Sequence, residues 1–318
     1  MPKNTVTLIV PLLNEEAALP LFLDRVDHVL SDVRKKHKGT KFFVLFVNDG
    51  STDTSELILR NAKLKNAKLQ LINLTRNFGK ERALHAGIMH CNTDAAIPMD
   101  VDLQDPPELI DQMISEWRKG ADKVDAKRIS RNQDSWFERT AAGSFYKIFN
   151  MASDRPIPSN VGDFRLFDRK VLDAVKMVGD QKRFNKEIFA WVGFKTVEIE
   201  FARPERAGGE SRQTFWKLWN LALDGIFSSS TVPIRFWSYI GFLIALFTFF
   251  YLIFVVLFTV AFGRAVPGYS STIVSVLFFG GLNLLSVGIL GEYIGRIYAE
   301  VRNRPSFLIS STLGLDDE

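Results

Sequence analysis

A cluster of carboxylates is the part of this sequence whose residue types could do chemistry. The segment Met99-Asp-Val-Asp-Leu-Gln-Asp-Pro-Pro107 holds three aspartates and a glutamine. Asp100 and Asp102 are two residues apart, so on an extended strand their side chains share one cation only if the chain turns, and Asp105 before two prolines favours a turn. Hard oxygen ligands suit Mg²⁺ or Mn²⁺, with phosphate oxygens and water completing the coordination. A solvated turn without a metal is the alternative at this point.

The elements that must position this cluster form an alternating pattern. Apolar runs rich in β-branched and aromatic residues predict four strands, and helical spacing predicts helices from Glu15 to Lys36 and from Lys80 to His90. Such alternation is typical of an α/β fold with a mostly parallel sheet and helices on both faces. The predicted strands are Thr5–Val10, Phe42–Val47, Leu69–Leu74 and Ala95–Met99.

Each predicted strand is followed by a polar segment, and these segments read PLLNEE, NDGSTD, RNFGKE and DVDLQD. Ligands of open α/β sheets bind outside the carboxyl ends of the strands, so we expect the four segments to converge there. The chain contains no Walker A motif, and no GxGxxG follows the first strand. A nucleotide site, if the chain has one, is therefore of neither of these types, and in it side chains would read the base and a divalent ion would hold a diphosphate.

The last third of the chain differs in composition from the rest. Residues 236–262 and 265–291 contain no Asp, Glu, Lys or Arg, and each run exceeds the roughly 20 residues that cross a bilayer. We predict two transmembrane helices with the domain before them and both termini in the cytoplasm, because the flanking arginines lie at the outer ends of the pair. The start of the chain lacks signal-peptide features, and a single cysteine fits a reducing compartment. These features predict a multi-pass protein of the inner membrane.

The predicted organisation has four parts. A nucleotide-binding domain spans residues 1–212, an amphipathic juxtamembrane segment 213–235, two transmembrane helices 236–296, and a cytoplasmic tail 297–318. Gly291 and Gly295 form a GxxxG pattern, which favours close helix packing either within the pair or in a homo-oligomer. The net charge of +4 suits an anionic membrane surface and gives no indication of nucleic-acid binding.

Several motifs in a fixed order resemble a known family. The segments IVPLLNEEAAL, FVNDGSTD, NLTRNFGKERALHAGI, MDVDLQDPPELI, VGDFRL and GESR precede the two apolar runs, and GEYIGRIYAEVRNRP follows. Together they resemble the family 2 polyisoprenyl-phosphate glycosyltransferases of the GT-A fold, relatives of dolichol-phosphate mannose synthase, and in particular the bactoprenol glucosyl transferase branch. The resemblance covers nearly the whole chain and implies a Rossmann-like GT-A domain.

The resemblance implies roles in nucleotide binding for residues of the first three loops. By motif, Pro11, Glu15 and Asp49 hold the base and ribose, and Asn48 stands where many relatives have an aspartate. Glu15 has a second interpretation, as a helix-start carboxylate favoured by the helix dipole. Lys80 is placed near the donor phosphate or sugar, and an ordinary surface lysine is the alternative.

The same resemblance assigns the aspartate cluster. Asp100 matches the first aspartate of the DxD motif, near ribose and metal, and Asp102 and Gln104 match the direct metal ligands. Asp105 is expected instead to cap the helix that begins after Pro106 and Pro107.

The acceptor is expected to be a lipid phosphate. Arginine binds phosphate bidentately, so four arginines are candidates for its ligands, and Asp163 could orient the acceptor or accept a proton. With Asp102 and Arg128, Asp163 completes the predicted catalytic set. The candidate phosphate ligands are Arg128, Arg139, Arg206 and Arg212.

The implied activity is an inverting, metal-dependent transfer of a hexose, with glucose from UDP-glucose as the first choice, to polyprenyl phosphate at the cytoplasmic membrane face. Other donors (GDP-mannose, UDP-N-acetylglucosamine, a UDP-aminoarabinose derivative) are alternatives, and a non-catalytic membrane scaffold is an alternative of another class. A processive polysaccharide synthase is disfavoured because the chain has no QxxRW motif. Expected partners are the nucleotide sugar, the lipid, a flippase, a downstream glycosyltransferase and a second copy of the chain.

Overall fold

The computed structural model describes residues 4–128, 161–179, 185–201, 232–262, 268–302 and 304–315. These residues fall into two compact units. One unit contains the mixed strands and helices together with the chain after residue 304, and the other contains two long helices.

The first unit begins with the predicted alternation of strand and helix. Its elements in chain order are β1 (Thr5–Leu12), α1 (Leu19–Lys36), β2 (Lys41–Asn48), α2 (Ser55–Asn61), β3 (Ala67–Leu74), α3 (Lys80–Met89), β4 (Ala95–Pro98) and α4 (Leu109–Arg118). The second half of the unit adds β5 (Lys123–Arg128), β6 (Val161–Asp168), α5 (Arg169–Met177), α6 (Asn185–Trp191), β7 (Thr196–Phe201) and, near the end of the chain, β8 (Ile309–Leu313).

All eight strands form one sheet in the order β7-β5-β6-β4-β1-β2-β3-β8. The pairs β1–β2, β1–β4, β2–β3 and β5–β7 are parallel, whereas β6 runs antiparallel to both β4 and β5, and β8 runs antiparallel to β3. The mostly parallel α/β sheet confirms the predicted fold class, and it places the carboxyl ends of β1 to β4 along one edge.

Helices cover both faces of this sheet because alternate strand residues point to opposite sides. On one face Leu8 packs in a core with the buried side chains of α1 and α4. On the other face Ile9 packs with those of α3, α5 and α6. Near-continuous apolar strands such as β2 are the expected signature of a sheet buried on both faces.

The structure differs from the predicted elements at three places. Strand β1 does not end at Pro11 but continues to Leu12, with Pro11 in register with Val47. The segment AWVGFKTVEIEFARPERAGGESR predicts strands and a Gly-rich loop, but its first two residues, Ala190 and Trp191, lie in helix α6. The predicted cytoplasmic tail contains β8, which completes the edge of the sheet beside β3.

The second unit contains helices α7 (Val232–Phe262) and α8 (Tyr269–Val301), which include the first apolar run and residues 269–291 of the second. At 31 and 33 residues, each is longer than the roughly 20 residues of a membrane span. Within the described residues, one helical segment, Phe278–Gly295, is long and apolar enough to cross a membrane, and Tyr239–Tyr251 is a shorter apolar stretch. Length and composition alone are weak grounds for a span.

Candidate active site

The loops after β1 and β2 are joined by backbone and side-chain hydrogen bonds. Asn14 has a φ of 55°, donates its backbone N–H to Ser51 Oγ at 2.9 Å and accepts at Oδ1 from the Thr52 N–H at 2.8 Å. The backbone N–H of Glu15 donates to Ser55 Oγ at 2.9 Å, at the start of α2. The first two predicted polar segments therefore converge as expected.

Asp49 joins the loop after β2 to the loop after β3. Its carboxylate is only 3% exposed, and its Oδ1 and Oδ2 accept the backbone N–H groups of Phe78 (2.7 Å) and Gly79 (2.8 Å). Burial raises the pKa of Asp49, while the two backbone hydrogen bonds act in the opposite direction. Gly50 is required beside it, because its φ is 74° and a Cβ there would lie 2.5 Å from the Arg76 carbonyl carbon.

Lys80, the first residue of α3, joins the third loop to the fourth. Its Nζ lies 2.6 and 2.7 Å from the two carboxylate oxygens of Asp100 and 3.5 Å from Asp163 Oδ2 on β6. Burial opposes the charged ammonium, but the carboxylates of Asp100 and Asp163 outweigh it and raise the pKa of Lys80. All four polar segments thus meet at the carboxyl ends of β1 to β4, as the sequence predicts.

The aspartate cluster turns sharply after β4. Leu103 has a φ of 56°, in the left-handed region that side chains rarely adopt, and Asp102 Oδ1 accepts the backbone N–H of Gln104 at 3.0 Å. Asp102 stays exposed, whereas Gln104 is 4% exposed. The Oε1 of Gln104 is buried without a hydrogen-bond partner among the described residues. The same short turn thus carries an unpartnered amide oxygen and a carboxylate, the kinds of hard oxygen ligand that a divalent cation takes.

The prediction that Asp105 caps the following helix is wrong. Helix α4 begins at Leu109, and its N-cap position is held by Glu108 without a side-chain cap. Asp105 is instead 6% exposed, and burial together with the charge of Asp100 raises its pKa to about 6. Asp105 therefore belongs to the acidic cluster.

Arg128 and Glu15 also lie close to this cluster. Arg128 is the last residue of β5 and lies next to Gly162, since a Cβ atom built on that glycine would be 3.5 Å from Arg128 Nη2. The positive charge of Arg128 opposes the rise in the pKa of Asp105. Burial raises the pKa of Glu15, and the charges of Asp102 and Asp100 add to this effect. Pro11 is buried in β1, one strand from the cluster. The described site residues are therefore brought together.

Two further residues at the site have no sequence signal that would have identified them. The carboxylate of Glu81, next to Lys80, accepts the backbone N–H of Asn185 at 2.9 Å, and Asn185 Nδ2 donates to the Glu81 carbonyl at 3.0 Å. Burial, followed by the charge of Asp163, raises the pKa of Glu81. This contact fixes α6 against α3, and it joins residues 104 positions apart.

Three of the predicted phosphate ligands, Arg139, Arg206 and Arg212, lie outside the described residues, as does most of the predicted juxtamembrane segment. Within the described part of the chain, no group of three or more His, Cys, Asp or Glu side chains could hold a metal ion. The set predicted from the motif consists of two carboxylates and the Gln104 amide. The site therefore consists of several carboxylates, some exposed and some buried, and two positively charged side chains. They lie in or beside loops that meet at one edge of the sheet.

Comparisons with known proteins identify the family to which this chain belongs. The model of the family described as "Glycosyl transferase family 2" matches residues 7–176, which extend from within β1 to the penultimate residue of α5. The chain is 45% identical over 307 residues to the bactoprenol glucosyl transferase of Shigella phage SfII, covering 96% of this chain and 98% of that protein. It is also 45% identical over 304 residues to the prophage bactoprenol glucosyl transferase homolog of Escherichia coli (strain K12), with the same shares covered.

Among solved structures, the chain resembles the mannosyltransferase PcManGT from Pyrobaculum calidifontis in complex with GDP-Man and Mn²⁺. The identity is 18%, the alignment covers 94% of this chain and 86% of that chain, and the TM-score is 0.44. A likeness of this size assigns no ligand to the site.

Proposed function

Because the chain belongs to glycosyl transferase family 2 and is a glycosyltransferase, we propose that it transfers glucose from UDP-glucose to a polyprenyl phosphate at the cytoplasmic face of a membrane. The observation that carries this proposal is the 45% identity to bactoprenol glucosyl transferases along 96% of the chain. An identity that extends beyond the family domain supports the same acceptor class as well as the same fold.

In the proposed site, Asp100, Asp102 and Gln104 would hold a divalent cation, Mg²⁺ or Mn²⁺. The free buried oxygen of Gln104 supports this assignment, as does the exposed carboxylate of Asp102. When bound, the cation supplies positive charge that stabilises the departing diphosphate. Glu15 and Asp49 lie in loops placed to receive the nucleoside, and Lys80 lies at the boundary between these loops and the metal ligands.

The proposed reaction is a direct displacement at the anomeric carbon. An acceptor phosphate oxygen forms the new bond to C1, and the bond from C1 to the β-phosphate oxygen breaks, with its electron pair leaving on UDP. The anomeric configuration is therefore inverted. The attacking phosphate oxygen is already ionised near neutral pH, so positioning and charge complementarity contribute more than a general base.

Two residues in the structure could act on the acceptor, one by binding its phosphate and one by orienting it. The Arg128 Nε is buried without a hydrogen-bond partner among the described residues, which leaves a donor for a phosphate oxygen. Asp163 has a buried Oδ1 that is likewise unpartnered in the described part of the chain, and its Oδ2 faces Lys80. We assign Arg128 to the lipid phosphate and Asp163 to its orientation.

We further propose that α7 and α8 cross the membrane as a pair and hold the domain near the acceptor. Many large apolar side chains on both helices are exposed, for example Phe247 at 72% and Leu284 at 76%. Exposure of this extent fits a lipid environment better than water. The product would be a polyprenyl-phosphate-sugar on the inner leaflet, and its use on the other side requires a flippase and a downstream glycosyltransferase. A homo-oligomer formed through the GxxxG pattern is part of the same proposal.

The proposal is tested with the full chain in detergent, undecaprenyl phosphate, Mg²⁺ or Mn²⁺, and radiolabelled UDP-glucose, UDP-N-acetylglucosamine, GDP-mannose and a UDP-aminoarabinose derivative. We expect label from UDP-glucose in the organic phase and a loss of about 100-fold or more in Asp102→Ala. Glu108→Gln, which alters an exposed carboxylate paired with Arg25, is the matched control and should keep its activity.

Each outcome of this assay has a defined meaning. Transfer of another sugar would correct the donor and keep the reaction. Metal-independent UDP binding without any transfer, or no nucleotide binding at all, would reject the enzyme and leave the membrane scaffold.

A further inference from the structure

Strand β8, which follows the long helices in sequence, is an outermost strand of the sheet and pairs with β3, the strand that leads into the third loop of the site. Strand β8 pairs antiparallel to β3 with Asn73 opposite Ser311, and the register shifts between Asn73 and Leu74. Ser310 Oγ donates to the Asn73 carbonyl at 3.0 Å, and the Thr75 N–H donates to the Leu308 carbonyl at 2.9 Å. The end of the chain is therefore joined to the segment that leads into the third loop of the site.

A chain of side-chain hydrogen bonds runs from β8 to the second loop. Asn73 Nδ2 donates to Ser311 Oγ at 3.0 Å, Asn48 Nδ2 donates to Asn73 Oδ1 at 2.9 Å, and the Ser51 N–H donates to Asn48 Oδ1 at 3.0 Å. The two asparagines are only 2% and 4% exposed. We call these four residues, Ser311, Asn73, Asn48 and Ser51, the asparagine relay.

The orientation of both amides in the asparagine relay is fixed from its two ends. Asn73 Nδ2 also donates to Glu56 Oε1 at 3.0 Å, and a carboxylate oxygen can only accept. The Asn73 amide must therefore turn its NH₂ toward Glu56 and its oxygen toward Asn48. Asn48 must then donate through its NH₂, which turns its own oxygen toward the Ser51 N–H, a group that can only donate.

The loop that the asparagine relay reaches is the one assigned to the nucleoside. Asn48 is followed by Asp49, which holds the backbone of Phe78 and Gly79, and Ser51 Oγ accepts from Asn14 of the first loop. One hydrogen-bond network, buried at Asn48, Asn73 and Asp49, therefore connects β8 with three loops of the site. An aspartate at position 48 could accept from Ser51 but could not donate to Asn73, so Asn48 and Asn73 act as a matched pair.

We infer that Ser311 and Asn73 are positioning residues for the donor nucleotide, acting through Asn48 on the loop 48–53. Neither residue needs to touch the donor. The inference rests on the proposed assignment of that loop to nucleotide binding. It also gives the end of the chain a part in catalysis that its place after the long helices would not indicate.

The first test compares donor kinetics in three variants of the full chain. Ser311→Ala removes one of the two acceptors of the Asn73 amide and leaves Glu56 Oε1. We expect the KM for the sugar nucleotide to rise about three- to tenfold, as the loss of one hydrogen bond permits, with kcat within about twofold. Ser311→Thr keeps the hydroxyl and should restore KM. Thr312→Ala changes the exposed neighbour on the same strand and should leave KM unchanged. An unchanged KM in Ser311→Ala, or an equal rise in Thr312→Ala, would overturn the inference.

A second readout separates this inference from the proposed function, because it needs no substrate. Amide hydrogen exchange of the peptide covering residues 48–54 should be about three- to tenfold faster in Ser311→Ala than in Thr312→Ala. Faster exchange without transfer from any sugar nucleotide would support the relay and reject the proposed function. Transfer with equal exchange in both variants would support the proposed function and reject the relay.

Discussion

Two clusters of cations and carboxylates lie on the same sheet and differ in their access to water. In the site cluster, the side chains of Lys80, Asp100 and Asp163 are 49%, 35% and 17% exposed. In the second cluster, on β5 and β6, those of Lys123, Asp125 and Arg165 are 5%, 2% and 1% exposed. We call the second one the buried cluster.

The two clusters are also held together differently. In the site cluster the ammonium and carboxylate are in direct contact, at 2.6 Å. In the buried cluster both cations stay 3.6 to 3.7 Å from Asp125, while Lys123 Nζ donates to the Phe189 carbonyl at 3.1 Å and Arg165 donates to the Gly162 carbonyl. Neutral backbone groups thus help to fix the buried cluster, whereas among the described residues the side-chain contacts of Lys80 are with carboxylates.

The pKa of the lysine in each cluster shifts in the opposite direction. Burial lowers the pKa of Lys123 despite the nearby Asp125, while the two carboxylates beside Lys80 raise its pKa. A charge pair in water exchanges partners at small cost, and a buried one does not. The comparison therefore indicates that the site cluster is built to accept an incoming ion or phosphate and that the buried cluster holds β5 and β6 in place.

The largest effect is expected from Asp125→Ala. Removing the carboxylate that Lys123 and Arg165 both face leaves buried charge uncompensated, which typically costs about 3–5 kcal/mol of unfolding free energy. Thermal unfolding of the full chain in detergent, followed by intrinsic fluorescence, measures this loss. Glu198→Ala breaks the exposed pair with Lys127 on the adjacent strands and should change the unfolding free energy by less than about 1 kcal/mol. Equal losses in the two variants would contradict the distinction between the clusters.

Gln104→Ala is expected to act on metal binding with little effect on folding. Even the outer-shell partners of metal ligands are worth about 10–100-fold in metal affinity, so we expect Mn²⁺ binding in the presence of UDP to weaken by at least about tenfold. The Oε1 of Gln104 has no partner among the described residues, so its removal breaks no bond there. Titration calorimetry measures the affinity, and Gln112→Ala, an exposed glutamine on α4, is the control. Unaltered Mn²⁺ affinity in Gln104→Ala would remove this residue from the metal site.

Local patterns were sufficient to predict the sheet and the convergence of the site. The apolar run in β2 and the polar turn after it occur within a few residues of each other, so both could be read from the sequence. The β1 boundary was missed because Pro11 normally disfavours a strand interior, yet here it pairs in register with Val47. At this position, burial on both faces of the sheet outweighs the low strand propensity of proline.

Long-range pairings could not be predicted in the same way. Strand β8 has five residues, three of them Ser or Thr, and its Ser311 contacts Asn73 across 238 positions. Nothing near either residue identifies its partner. Asp105 was misassigned for a related reason, because the prolines after it suggested a helix cap, whereas its environment is set by Asp100, Arg128 and the buried core.

A smaller effect is expected from Lys80→Met, which tests whether the site cluster exchanges partners. Without the ammonium, Asp100 is free for a cation, so Mn²⁺ should bind to the nucleotide-free protein about two- to fivefold more tightly, the range of one exposed ion pair. Lys80→Arg keeps the charge and should bind Mn²⁺ as the parent does. Weaker Mn²⁺ binding in Lys80→Met would mean that Lys80 organises the carboxylates instead of competing for them.

The smallest effect concerns Asp94, a carboxylate at the opposite edge of the sheet that has neutral hydrogen-bond donors around it. Its Oδ2 accepts the backbone N–H groups of Asn4 and Thr5 and the Thr5 hydroxyl. Burial raises the pKa of Asp94, but these hydrogen bonds, together with the smaller effect of the Arg169 charge, outweigh it and lower the pKa below its usual 3.8. The stabilisation is therefore fully present above pH 3.8 and is lost as the pH falls through the lowered pKa.

Asp94→Asn should accordingly lose about 1 kcal/mol of unfolding free energy at pH 7, and the difference from the parent should shrink below pH 3.8. Unfolding curves of parent and variant at several pH values measure this difference. Asp32→Asn, which alters a fully exposed carboxylate on α1, is the control and should show no comparable loss at pH 7. A difference that grows on acidification would mean that the N–H groups of Asn4 and Thr5 do not hold the ionised form. Partial burial with neutral donors would then be insufficient to fix a carboxylate, and the role of the carbonyl groups in the buried cluster would have to be reconsidered.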